Sequence, residues 1–163
     1  MNYATRRYAF RDKTADYARL AEDLDALLHG EHDRVANAAN TAALIFDTLP
    51  DLNWTGFYFL NDGELLVGPF QGKPACVRIA MGKGVCGTAA ATRRTIVVPD
   101  VQSFPGHIAC DANSRSEIVI PLESNGTLLG VLDLDSPRPD RFDRSDRSGL
   151  ENLAQVFLRS LTP

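Results

Sequence analysis

Cysteine is scarce, with three residues in a chain of 163. No two of them form the Cys-x-x-Cys pair of a zinc ribbon or a thioredoxin-type motif. That scarcity argues against a disulfide scaffold and for a reducing compartment, so a cytoplasmic location is expected. No apolar run approaches the ~18 residues that a membrane span requires. The first residues, Met1 to Lys13, are rich in Arg and Tyr and lack the apolar core of a signal peptide. Charge of one sign nowhere collects in a block, and 17 Lys and Arg against 21 Asp and Glu leave a net charge of −4. Nucleic acid and anionic lipid therefore find no electrostatic footprint. Internal repeats, low-complexity tracts and a Pro/Ser linker are also missing, so residues 1–163 read as one domain. Hydrophobic residues at 44% and charged residues at 23% exclude disorder and a fibrous repeat.

What is present changes period along the chain. Tyr17, Leu20, Leu24, Leu27 and Leu28 form a helical stripe that Gly30 stops. A second helix is expected from about Asp33, with Val35, Ala38, Ala39, Ala42 and Phe46 on one side, ending before Pro50. Segments 54–60 and 64–70 are strand-like and joined by Asn61-Asp62-Gly63, a hairpin signal. Residues 76–80 and 95–98 read as short strands, 85–92 as a short Ala-rich helix, and 99–113 as a long loop. Residues 117–122 and 127–134 form a second hairpin around Ser124-Asn125-Gly126. The last helix starts near Asp143, with Leu150, Leu153, Ala154, Phe157, Leu158 and Leu161 on its apolar face. Hairpins in the middle and helices at both ends predict an α+β fold with an antiparallel sheet.

Gly82-Lys83-Gly84-Val85-Cys86-Gly87 matches G-x-G-x-x-G, with Asp100 beyond it where a ribose-binding acid is expected. The flanking antiparallel hairpins leave no room for paired βαβαβ halves, so the run reads as a tight strand-to-helix turn whose helical amides suit an anion such as a substrate carboxylate. Cys86, in the Ala-rich helix, reads equally well as a small buried hydrophobe or as a working thiol. Cys110 lies in Pro105-Gly106-His107-Ile108-Ala109-Cys110-Asp111, a long polar loop of the kind that carries function. His107 stands three residues before it, a weak metal-ligand signal. Asp133 and Asp135 alternate with Leu132 and Leu134 and so share one face of a strand, with Glu117 on the neighbouring one. Three readings of these acids stay open: a solvated face, a site for a hard cation poorly tied to a thiol, and a carboxylate pocket for a substrate ammonium.

Five runs in register carry a resemblance: 68–76, 82–89, 105–111, 116–119 and 130–136, which include all three cysteines. Together they resemble the free methionine-R-sulfoxide reductases, stand-alone GAF-domain enzymes. The resemblance implies a six-stranded antiparallel GAF sheet flanked by helices and a homodimer. It implies reduction of free L-methionine-(R)-sulfoxide to methionine with thioredoxin as electron donor, and neither a metal nor a redox cofactor. It also implies Cys110 as nucleophile, Cys76 as resolving thiol and Cys86 as an auxiliary one. Glu117, Asp133 and Asp135 are then the acids around the substrate, with Glu117 or Asp135 as proton donor, and Trp54 and Tyr58 wall its methyl-sulfinyl end. The competing expectation is a GAF sensor, since fold alone does not fix function.

Overall fold

A computed structural model describes residues 8–107 and 111–162. Helices α1 (Lys13–Leu28) and α2 (Arg34–Thr48) come first, followed by strands β1 (Trp54–Asn61), β2 (Glu64–Gly72) and β3 (Arg78–Ala80). Helix α3 (Gly84–Thr92) and strand β4 (Ile96–Val98) precede the second hairpin, β5 (Ser116–Ser124) and β6 (Thr127–Ser136), and helix α4 (Arg144–Ser160) closes the chain. The six strands form one antiparallel sheet in the order β3-β2-β1-β6-β5-β4.

The helices begin where acidic caps stand. The Asp12 carboxylate accepts from the Ala15 amide, Asp33 from Ala36, and Asp143 forms a reciprocal capping box with Asp146. Both hairpins turn on residues with positive φ, Asp62-Gly63 and Asn125-Gly126, the geometry that matches the twist of paired strands.

Strand alternation divides the interior in two. Phe57, Phe59, Ile118, Ile120, Leu132 and Leu134 point to one face and pack with α1, α2 and α4 in the larger core. Trp54, Tyr58, Val119 and Val131 point to the other and pack with α3 residues Val85, Cys86, Ala89 and Ala90. One side of the sheet is therefore a plain hydrophobic layer. The other, covered only by a short helix and loops, has room for a pocket.

Strand β3 is shorter than the sequence suggests. Only residues 78–80 pair with β2, so Cys76 lies in the connection before it. Pro74 ahead of it lacks an amide hydrogen for a ladder. Among its described residues the expected long loop contains one 3-10 turn, at Val101–Ser103, capped by Asp100. Asp100 is thereby absorbed in a structural role. The glycine motif is likewise a turn. Gly82 and Gly84 adopt φ of 78° and 59°. A Cβ on Gly87 would stand 2.3 Å from the Ala80 carbonyl oxygen, so glycine there lets α3 close against the end of β3.

Candidate active site

Register places three acids side by side. Asp135 of β6 lies opposite Trp54 of β1 on one flank and Glu117 of β5 on the other. One rung along, Asp133 lies between Gly56 and Val119. Because directly paired residues share a face, Trp54, Asp135, Glu117 and Asp133 all point toward α3. Gly56 belongs to this arrangement by what it omits: a Cβ there would meet Phe70 Cβ at 2.2 Å and the Trp54 ring at 2.8 Å. Without one, Trp54 stacks on Phe70 (centroids 5.2 Å apart) and Tyr58 (5.9 Å).

Trp54, Tyr58, Glu117, Asp133 and Asp135 line a pocket, with Ile79, Val85 and Cys86 as its apolar side. The first turn of α3, Lys83 to Val85, opens onto it, and no side chain caps that helix. Its far wall hangs on β1. The Trp54 Nε1–H donates to the Lys73 carbonyl at 3.1 Å, and the Tyr58 hydroxyl to the Cys76 carbonyl at 3.0 Å. The two aromatic residues thus hold the segment that carries Cys76 over the pocket. Opposite, Asn53 Nδ2 donates to Ser114 Oγ at 3.0 Å and to Asp111 Oδ2 at 3.3 Å. Lys73 Nζ reaches Asp111 at 3.4 Å, an exposed pair of little strength that spans the pocket mouth.

Burial governs the electrostatics. Glu117 and Asp133 are buried and Asp135 partly so. The carboxyl of each is pushed well above its ordinary pKa, first by desolvation and then by a neighbouring acid: Asp135 acts on Glu117, Glu117 on Asp133, and Asp133 on Asp135. The Cys86 thiol, 3.9 Å from Glu117 Oε1, is raised by the same two causes and is a protonated, poorly nucleophilic sulfur. His107 Nε2 lies 3.6 Å from Glu117 Oε2. Burial lowers the His107 pKa and favours the neutral ring, so this is a contact between neutral groups and not an ion pair. Asp133 Oδ1 is buried without a hydrogen-bond partner among the described residues. Raised carboxyls and an orphaned acceptor at the floor of a pocket mark this cluster as a candidate functional site.

A GAF domain model matches residues 23–161. The free methionine-R-sulfoxide reductase of Escherichia coli is 52% identical over 142 residues, which cover 87% of this chain and 86% of that one. The chain belongs to this family of GAF-domain reductases. Two solved family members superpose on it. The free methionine-R-sulfoxide reductase of Neisseria meningitidis in complex with its substrate is 42% identical, with a TM-score of 0.93 and coverage of 98% of this chain and 96% of that one. The reduced form of the Staphylococcus aureus fRMsr is 50% identical, with a TM-score of 0.88 and coverage of 90% and 96%.

The pocket of this reductase-family chain brings together Trp54, Tyr58, Cys86, Glu117, Asp133 and Asp135. Cys76 lies at its rim in the connection tied down by Tyr58, and it is disulfide-bonded, whereas Cys86 is free. Cys110 falls outside the described residues. Lys73, Lys83 and Ser114 complete the walls, with Asn53 bonded to Ser114 from behind, and none of the four was read from the sequence as a site residue. Lys83 had a signal, because it sits inside the glycine motif; Asn53 and Ser114 had none.

Proposed function

We propose that the chain reduces free L-methionine-(R)-sulfoxide to methionine, as the names of its relatives state for them. The observation that carries this reading is the acidic cluster with its orphaned Asp133 oxygen beneath the Trp54 and Tyr58 rings. A free amino acid brings an α-ammonium that a residue inside a protein lacks. That cation offsets the acids and fills the vacant acceptor, so the site selects the free form. The uncapped first turn of α3 offers amides to the α-carboxylate. The apolar methyl-sulfinyl end then faces the stacked aromatic rings.

In this mechanism the Cys110 thiolate attacks the sulfoxide sulfur while Glu117 or Asp135 protonates the departing oxygen. Their raised pKa values keep a proton available at neutral pH, as a general acid requires. Methionine leaves, and Cys110 is left as a sulfenic acid. The Cys76 thiol condenses with it, releasing water and forming a disulfide, which thioredoxin reopens with two electrons. The capture of Cys76 in a disulfide while Cys86 stays free supports Cys76 as resolving thiol over Cys86. The electrons enter through cysteine, so no redox cofactor is needed. The bound ammonium offsets the negative charge that forms when the Cys110 thiol ionises. A cytoplasmic homodimer completes the proposal.

The cysteine substitutions test the order of events. Cys110→Ser abolishes turnover. Cys76→Ser releases about one methionine per chain in a rapid burst and then stalls, because its sulfenic acid has no partner. Steady turnover by Cys110→Ser contradicts the assignment of the nucleophile.

A further inference from the structure

The floor of the pocket also assembles a donor set that sulfoxide reduction does not use as a set. Cys86, on the first turn of α3, offers a sulfur that is free and buried. Glu117 and Asp133 face it from β5 and β6, and one donor atom from each of the three residues lies within 4.8 Å of the other two. His107 brings a ring nitrogen to 3.6 Å from Glu117 Oε2. Asp133, 6% exposed, aims a buried oxygen into the pocket with no hydrogen-bond partner among the described residues. The sequence leaves a metal as one of three open readings, and then only a hard cation poorly tied to a thiol; the fold seats a thiol among the acids and brings an imidazole beside Glu117.

We propose that Cys86, Glu117 and Asp133, with His107 as fourth donor, bind a thiophilic divalent cation of the zinc class, and that the bound ion inhibits the enzyme by occupying the place of the substrate ammonium. Sulfur, nitrogen and two carboxylate oxygens are the donors zinc takes in four-coordinate sites. Metal–donor distances of roughly 2.0 to 2.3 Å put neighbouring donors about 3.3 to 3.8 Å apart. The Cys86, Glu117 and Asp133 donors, now within 4.8 Å of one another, therefore draw together by up to about 1.5 Å. The His107 ring, which stands beside Glu117 but outside that trio, swings in to complete the set. The thiolate excludes magnesium and calcium, which prefer all-oxygen shells. On binding, the Cys86 thiol and the Glu117 and Asp133 carboxyls release the protons they hold to solvent and each gains a metal bond; no electron moves. Binding itself follows from the donor geometry alone, whereas inhibition rests on reading the pocket as the sulfoxide site.

Cobalt(II) is the direct probe, because thiolate ligation gives a near-ultraviolet charge-transfer band and tetrahedral geometry gives intense visible bands. The protein used is the full chain with Cys76→Ser and Cys110→Ser, which leaves Cys86 as its sole thiol, in thiol-free buffer. One equivalent of cobalt is expected to produce both bands, and zinc to bleach them. Adding Cys86→Ser removes the charge-transfer band. Asp133→Asn keeps the band but weakens binding by at least about 10-fold, the lower end of what even outer-sphere partners contribute. Absence of the band, or its survival in the Cys86→Ser chain, overturns the site. Free methionine-(R)-sulfoxide is expected to displace the cobalt, and zinc to raise the apparent KM of the wild-type enzyme. Failure of both, in an enzyme that still turns over the sulfoxide without metal, overturns the inhibitory role and leaves the proposed function standing.

Discussion

Asp133 shows how one residue serves the pocket at the expense of the fold. It is buried beside Glu117 with an oxygen that lacks a partner, an arrangement that destabilises the empty protein. The folded chain holds protons on these acids that the unfolded chain releases above about pH 4. Stability therefore falls as pH rises from that point through the raised folded pKa values of Glu117, Asp133 and Asp135. Asp133→Asn removes one such group and gives Glu117 an amide neighbour. It is expected to stabilise the chain by about 0.5–2 kcal/mol at pH 8, as relief of functional strain does elsewhere, and by less near pH 4. Substrate affinity should fall roughly 10- to 100-fold, the worth of one hydrogen bond to a charged group. Urea titrations at the two pH values check the first part, and an Asn variant less stable than wild type at pH 8 contradicts it. At this scale the sequence was informative about acids and aromatic residues. Alternation alone put Asp133 and Asp135 on one face, as β6 now shows. It was silent on Asn53 and Ser114, whose hydrogen bonds across the pocket wall depend on a loop meeting β1 from 58 and 61 residues away.

Among the elements, the pairing of α1 with α4 is held by a buried charge cluster. Asp146 is fully buried and receives Lys13 Nζ at 2.6 Å, Arg141 Nη1 at 3.1 Å and the Tyr17 hydroxyl at 2.9 Å. Gly149, one turn along α4, leaves the space that the Tyr17 ring fills, since a Cβ there would sit 2.1 Å from the ring. Replacing Asp146 by Ala strands the buried Arg141 guanidinium, leaves Lys13 with Asp143 alone and removes half of the capping box. A loss of about 3–5 kcal/mol is expected, as when one partner of a buried pair is deleted. Because these helices cover the face of the sheet away from the pocket, turnover per folded chain should not change. A denaturation midpoint that shifts by less than about 1 kcal/mol contradicts this account. Helices α1 and α4 were legible from their apolar stripes and caps, and the hairpins from Asp62-Gly63 and Asn125-Gly126. Helix α2 was legible as a helix, but its expected stripe missed the buried face, since Val35 and Ala39 are exposed and Leu44 and Ile45 are buried. The short strand β3 was not. Its apolar residues continue upstream to Cys76, but Pro74 and the tie from Tyr58 keep that stretch out of the ladder. The role of α3 was half visible: the glycine motif marked the turn, yet only the strand order shows Cys86 facing the acids.

For the whole molecule, the two faces of the sheet divide the labour. One, packed by α1, α2 and α4, supplies the larger core; the other, under α3 and two loops, holds the pocket. This architecture is common to reductases and sensors, so the fold decides nothing between them. The decision lies in whether the acidic floor grips an ammonium. The most direct measurement is NADPH consumption in a coupled thioredoxin and thioredoxin reductase assay. It compares free L-methionine-(R)-sulfoxide, its S epimer and the N-acetylated R compound. Turnover of the free R form, with neither of the others consumed appreciably, is the predicted result. Equal turnover of the N-acetylated substrate, or none of any substrate, contradicts the ammonium-binding role on which the account rests.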